Sequence, residues 1–359
     1  MKKTLRIAQV APLFESVPPK GYGGTERVVS YLTEALVEQG HQVTLFATGD
    51  SITSADLVSV CEHGMRTASA RTGWMARQTM LNDLVFQRAN EFDVMHFHVD
   101  CLHYPMSRVC PTPSVTTFHG RLDAPYLKAL HEQFRDHPVV SISDHQRQAL
   151  PDANYVATVY HGLPLGLYDF SAQPLDYFAF IGRISPEKRL DRAIEIAVAC
   201  NTRLVVAAKI DDADREYYER EIAHLMEHPL VKYVGEVDDA GKNVLLGGAR
   251  ALLFPIDWPE PFGLVVIESL ACGTPVVAYG MGSVPELLDD GVTGFVVDNQ
   301  KAAIAAAQRV GEIDRADCRR VFEQRFSSPH MAQAYVDVYS RLAGHRMERE
   351  GDVEESSPA

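Results

Sequence analysis

The chain has 359 residues, 46% hydrophobic and 23% charged, with a formal net charge of −14. That length allows two domains with separate cores, and the composition is that of an ordinary globular protein. The negative charge argues against nucleic acid as a partner, and no apolar run approaches the roughly 20 residues of a membrane span, so integral membrane association is not expected either.

From the start, Met1-Lys2-Lys3-Thr4 leads straight into a short strand and not into a signal-peptide core. Cys61, Cys101, Cys110, Cys200, Cys272 and Cys318 form no C-x-x-C and no metal-ligand spacing. A cytoplasmic chain with reduced thiols, whose mature form begins near residue 1, is expected. Leu5–Val10 reads as a buried strand. The glycine-rich loop Glu15–Gly24 follows, then a helix that Thr25 can cap, with Val28, Val29, Leu32 and Leu36 on one face and an end at Gly40. After the strand Gln42–Thr48, a dinucleotide-binding opening has only Asp50 to support it. Gly21-Tyr22-Gly23-Gly24 arrives some ten residues too late and does not complete G-x-G-x-x-G. Strands at Val94–Val99, Ser114–Phe118, Val139–Ile142 and Tyr155–Val159 then imply a parallel sheet.

Loop composition around Gly162–Gly166 and Gln173-Pro174 marks a boundary, giving a first domain over 1–165 and a second over 166–327. In the second, strands near Tyr177–Ile181, Leu204–Ala208, Lys232–Val234, Ala251–Phe254, Pro275–Ala278 and Gly294–Val297 are each, except the last, followed by a helical pattern. The fold class is therefore α/β, two doubly wound Rossmann-like domains. A helix over 328–345 and a disordered acidic tail over 346–359 complete the chain.

The stretch Trp258-Pro259-Glu260-Pro261-Phe262-Gly263-Leu264 reads as the mouth of a helix, because prolines suit the approach and the apolar run Leu264, Val265, Ile267 and Leu270 continues to Gly273-Thr274-Pro275. Amides at Phe262, Gly263 and Leu264, with the helix dipole behind them, make a site for a phosphate. Glu260, just before it, suits neutral hydroxyls beside the phosphate, and Glu268 suits another pair, such as those of a ribose. Hydroxyls, diphosphate and hydroxyls outline a nucleotide sugar. The other reading makes Glu260 a dipole complement and Glu268 a solvated helix residue. Gly182-Arg183-Ile184-Ser185-Pro186-Glu187-Lys188 ends a strand at a sheet's carboxyl edge, so Arg183 and Lys188 either meet the charge growing on a departing phosphate or start a surface helix. His119 ends a strand, a position more often structural than catalytic. His96 and His98 share one side of a strand and are read as packing, not as metal ligands with His119 and Asp100. Asp212-Ala213-Asp214 spells a metal-nucleotide signature, yet it directly precedes a helix over Arg215–Met226, where aspartates cap. No metal and no cofactor are expected.

Glu260 and Glu268 form E-x7-E. With Glu260-Pro261-Phe262-Gly263-Leu264 and Ala271-Cys272-Gly273-Thr274-Pro275-Val276-Val277-Ala278 they resemble the donor-site signature of the retaining glycosyltransferases of family 4, built on the GT-B fold. Phe254-Pro255-Ile256-Asp257-Trp258 and the early Pro18-Pro19-Lys20-Gly21-Tyr22-Gly23-Gly24 resemble its avilamycin-pathway subgroup. The resemblance implies two domains facing across a cleft, the C-terminal helix crossing back to the first, and transfer of a hexosyl group from a UDP- or GDP-sugar to a hydroxyl of an acceptor. By the same resemblance Arg183 and Lys188 hold the diphosphate, with Gly23 and Gly24 meeting it from the first domain. His119 contacts the sugar near the reacting carbon, and the backbone of Gly235-Glu236-Val237 contacts the base, Val237 being the nucleoside-binding position. Family members often carry a glycine where this chain reads Ala207-Ala208-Lys209. Lipid-modifying relatives present a basic first domain. Residues 1–160 hold 14 basic and 16 acidic side chains, leaving 20 and 32 for the rest, which favours a soluble acceptor. An epimerase or hydrolase of the same fold and a non-catalytic nucleotide-sugar binder are the alternatives.

Overall fold

A computed structural model describes residues 4–21, 23–65, 73–99 and 101–355, with backbone alone for 345–355. The chain divides into two compact units, the described parts of Met1–Pro164 with Ser328–Ala359, and Leu165–Ser327. The first holds a seven-stranded sheet of β1 Arg6–Val10, β2 Gln42–Ala47, β3 Asp56–Ser59, β4 Val94–Phe97, β5 Ser114–Thr117, β6 Val139–Ser141 and β7 Tyr155–Thr158. Its order is β3-β2-β1-β4-β5-β6-β7, and every neighbouring pair is parallel. The second holds β8 Tyr177–Arg183, β9 Arg203–Lys209, β10 Val231–Gly235, β11 Ala251–Phe254, β12 Val276–Tyr279 and β13 Gly294–Val297, in the order β10-β9-β8-β11-β12-β13, again all parallel.

Parallel strands must be buried on both faces, and the central ones read accordingly as continuous apolar runs. Ala8, Val10, Phe46, Met95 and Phe97 build the core of the first unit, and Phe178, Phe180, Leu204, Val206 and Leu253 that of the second. In each sheet the order reverses beside its first strand, between β1 and β4 and between β8 and β11. Loops leaving the carboxyl ends diverge there, and open α/β sheets bind ligands at such points.

Several elements differ from the sequence reading. β3 is a mostly exposed edge strand without an apolar run, and the helix Trp74–Gln87 buries only Gln78, Leu81, Asn82 and Val85; neither gives a strong periodic signal. The first helix, Gly24–Glu38, starts before Thr25, with Gly23 at its N-cap and no side-chain cap. A Cβ on Gly23 would lie 2.8 Å from that of Pro19, so the proline loop presses on the backbone where a capping side chain would stand. After β13 come two helices that the pattern hides, Gln300–Arg309 and Arg315–Arg325. The former packs through Ala303, Ala306 and Ala307, small residues that carry little hydrophobic signal, and the side chains of Asn299 and Asp314 cap the two. Arg215–Met226 is not one regular helix but a series of short turns, with a π-type turn at Tyr218–Ile222. The C-terminal helix spans Ser328–Glu355, beyond the expected end at 345 and through most of the tail read as disordered; 356–359 lie outside the described residues. It packs on Gly24–Glu38 and β4. All six cysteines are free thiols.

Candidate functional site

In the second unit, β8 ends on Arg183 and its loop brings Glu187 and Lys188 beside the loop that leaves β11. The two loops are stitched together: the Asp257 amide donates to the Glu187 carbonyl at 2.8 Å, and the Arg189 guanidinium bonds both Asp191 and Asp257. This pairing puts the Lys188 ammonium directly on the Glu260 carboxylate, in a close ion pair. Trp258 Nε1 donates to the same Glu260 oxygen at 2.9 Å, and the ammonium stands 4.9 Å from the Trp258 ring centroid. Both partners are largely buried, at 19% and 12% side-chain exposure.

The Glu260 backbone is clamped as well. Its carbonyl accepts from the Ser283 amide at 3.0 Å, and Ser283 Oγ donates to the Phe262 carbonyl at 2.6 Å. Gly282, at φ 61°, lies so close that a Cβ there would sit 2.3 Å from the Glu260 nitrogen and oxygen. Phe262 is buried, and Gly263 precedes the helix Leu264–Ala271 at φ 91°, a left-handed conformation that asks for glycine. No side chain caps this helix, and in its first turn the Val266 amide donates to the Gly263 carbonyl at 3.0 Å. One and a half turns in, Glu268 is 3% exposed, which excludes a solvated helix residue, and it accepts from Lys242 Nζ at 2.7 Å.

Arg183 is surrounded by carboxylates: Glu187 at 3.4 Å, Asp211 at 3.8 Å and Asp214 at 3.6 Å. Asp212 and Asp214, read as caps, make no capping bond. Asp214 faces the arginine instead. The Val237 side chain packs over Gly241 and, with Val205, Val234 and Val244, lines a cavity of about 870 Å³ on the sheet, so what it offers elsewhere is backbone. At Ala207-Ala208 the chain is buried, and Tyr233 Oη takes the Ala208 carbonyl at 2.9 Å.

The first unit builds its switch point differently. Gly23 and Gly24 open the helix after β1, and His119 follows β5. His119 Nε2 lies 2.9 Å from His98 Nδ1, His98 Nε2 is 2.7 Å from Gln9 Oε1, and the His119 ring stacks on His161. His96 bonds Tyr339 Oη at 2.6 Å and Thr117 Oγ1 at 2.8 Å. Burial holds His96, His98 and His161 well below the ordinary imidazole pKa and His119 down to about 3, so all four are neutral. Among the described residues no group of three or more His, Cys, Asp or Glu is arranged to hold a metal; Asp100 lies outside them.

Of the residues singled out in the sequence, Glu260, Lys188, Phe262, Gly263 and Leu264 thus stand together, with Arg183 at the adjoining strand end and Glu268 deeper along the same helix. Lys242, Ser283, Gly282, Gln9, His98 and Tyr339 were not recognised as part of either constellation. Only Lys242 left a signal, a cation near the start of a helix that also carries Asp239.

The family model described as Glycosyltransferase Family 4 matches residues 22–208, just over half of the chain, and that described as Glycosyl transferases group 1 matches 171–320. A phosphatidyl-myo-inositol mannosyltransferase of Mycobacterium leprae is 26% identical over 335 residues, covering 84% of this chain and 86% of that protein. AviGT4, a glycosyltransferase involved in avilamycin A biosynthesis, superposes with a TM-score of 0.70 at 24% identity, over 95% of this chain and 98% of that one. Anabaena HepE, solved in complex with UDP and glucose, gives a TM-score of 0.72 at 18% identity, over 94% and 100%. With its two parallel sheets and its family match, the chain belongs to glycosyltransferase family 4 and is a glycosyltransferase of the GT-B type.

Proposed function

We propose that the enzyme moves a hexosyl group from a UDP- or GDP-sugar to a hydroxyl of a soluble acceptor, with retention at the anomeric carbon and without a metal ion. The observation that carries this reading is the Lys188–Glu260 pair at the mouth of the helix Leu264–Ala271. A donor's diphosphate competes for the ammonium, and the carboxylate it releases is left to accept from neutral sugar hydroxyls, with Trp258 Nε1 holding it in place. As the bond from the anomeric carbon to the β-phosphate oxygen breaks, charge grows on that phosphate. Lys188, Arg183, the amides of Phe262, Gly263 and Leu264, and those of Gly23 and Gly24 meet it. The departing oxygen takes the acceptor's proton from the same face, so no carboxylate need act as base. Glu268 receives the ribose hydroxyls and the backbone at Val237 the base, while neutral His119 takes a hydroxyl of the sugar. The near-even charge of residues 1–160 supports a soluble acceptor.

Glu260→Gln tests the reading. Transfer should fall by about 10²–10³, while affinity for the free nucleoside diphosphate changes by less than about threefold, roughly 0.6 kcal/mol. Unchanged turnover would remove Glu260 from the mechanism. Donor consumed at the same rate without any acceptor would point to a hydrolase.

A further inference from the structure

His119 does not stand alone: a continuous chain of buried side chains ties it to the C-terminal helix. Tyr339 Oη receives Gln9 Nε2 at 2.9 Å and faces His96 Nδ1 at 2.6 Å, and Gln9 Oε1 meets His98 Nε2 at 2.7 Å. His98 Nδ1 then meets His119 Nε2 at 2.9 Å. Gln9 lies on β1, His96 and His98 lie on and just past β4, and His119 lies just past β5, so the chain crosses the switch point of the first sheet.

With the Gln9 amide oxygen on His98 and no acceptor at His119 Nδ1, the chain of bonds runs in one direction. Because Gln9 turns its oxygen to His98, His98 Nε2 must carry the proton and donate. A neutral imidazole has one proton, so His98 Nδ1 is an acceptor, and His119 Nε2 must donate to it. His119 Nδ1 is then bare. That nitrogen is enclosed and has no hydrogen-bond partner. The opposite tautomer would enclose an N–H without an acceptor, the kind of orphan that folded chains tolerate least. Burial keeps the three imidazoles neutral, so no second proton relaxes the sequence of donors and acceptors.

We propose that Gln9, His98 and Tyr339 are positioning residues that lock His119 in the Nε2–H tautomer, so that Nδ1 can only accept a hydrogen bond, from a substrate hydroxyl that displaces the groups now enclosing it. The role of that acceptor rests on the reading of His119 under the proposed function; the tautomer itself does not. A hydroxyl of the donor sugar supplies the hydrogen that this lone pair lacks, whereas a substrate that offers only an acceptor at the same place is refused.

Histidine ¹⁵N chemical shifts of the full-length protein measure the tautomer directly, with the His119 signals assigned by their loss in His119→Asn. The wild type should show a protonated Nε2 and a bare Nδ1. Tyr339→Phe removes the hydroxyl that accepts from the Gln9 amide, and Gln9→Met removes the amide. Both should turn the single His119 tautomer into a mixture, the second more completely, and lower kcat about tenfold with nucleoside diphosphate affinity unchanged. Should Gln9→Met fail to fold, Tyr339→Phe still decides, since it deletes one hydroxyl and keeps the ring. A protonated Nδ1 in the wild type, or a His119 tautomer that ignores both substitutions, overturns the proposal. A locked tautomer combined with full transfer by His119→Asn would uphold the positioning chain and defeat only the sugar contact.

Discussion

The two units share one topology and fill its switch point with opposite chemistry. In the second, the residues at the carboxyl edge are ions held by counter-ions, Lys188 on Glu260, Lys242 on Glu268 and Arg183 among Glu187, Asp211 and Asp214. In the first, the corresponding place is a neutral net of Gln9, His96, His98, His119 and Tyr339. The difference follows from what each arrangement can do. Paired ions can be exchanged for a charged ligand at little net cost, because the desolvation of each has already been met. A neutral net cannot neutralise a diphosphate, but it fixes which atom donates and which accepts.

The sharpest way to break this comparison is acid. His119 has its pKa lowered to about 3, and His96, His98 and His161 are lowered well below the ordinary value by burial. Their unfolded values lie near 6.5. Between those limits the unfolded chain binds protons that the folded chain refuses, so stability falls as pH drops through about 6.5 and is unaffected above it. From pH 7.5 to 5.5 each imidazole that stays neutral in the fold should cost on the order of 1 kcal/mol. Urea titrations followed by a probe in the first unit check this. A midpoint that does not move would mean that the histidines accept protons in the folded state.

Next in size is Lys188→Ala, which strips the second unit of an ion that both anchors Glu260 and faces the proposed diphosphate. Transfer should fall by about 10²–10³, with part of the loss recovered in Lys188→Arg. Steady-state kinetics measure it. If Lys188→Ala weakened donor binding and left kcat alone, the lysine would hold the donor equally in ground and transition state and add nothing to the chemical step.

The contrast also explains what could be read from the chain. The ionic half is local in sequence: Glu260, Phe262, Gly263 and Glu268 lie within nine residues, and Arg183 and Lys188 within six, so helix-start chemistry and spacing expose them. The neutral half joins residues 9, 98, 119 and 339, and no window holds more than one of them. His98 could be read only as packing, and Gln9 only as one residue of an apolar strand. Alternating strands and helices made both parallel sheets legible. The Ala-rich helix Gln300–Arg309 and the edge strand β3 were lost, because small side chains and a mostly exposed four-residue strand leave little hydrophobic period. Ser283 and Gly282 shape the Glu260 backbone through close contact alone, which no spacing rule detects.

The smallest expected effect is at Glu268, where the ionic design is most deeply buried. Lys242 is its counter-ion at 2.7 Å, with 19% of the lysine side chain and 4% of the glutamate exposed. Replacing the lysine by methionine keeps the stem and removes the charge, leaving a carboxylate in a setting that cannot hydrate it. A fully buried pair broken this way costs about 3–5 kcal/mol. The lysine end is reached by solvent, so about 1–2 kcal/mol is the expected loss in urea unfolding. Adding Glu268→Gln to Lys242→Met should restore most of it, because the amide needs no counter-charge, and the cycle of single and double variants isolates the coupling. The same double variant should bind nucleoside diphosphate more weakly than wild type despite its recovered stability, since a glutamine accepts only one of the two ribose hydrogens that a carboxylate can take. Stability and binding restored together would show that the deep pair serves the fold alone, and that the ionic character of the second unit matters for ligand only at Lys188 and Glu260.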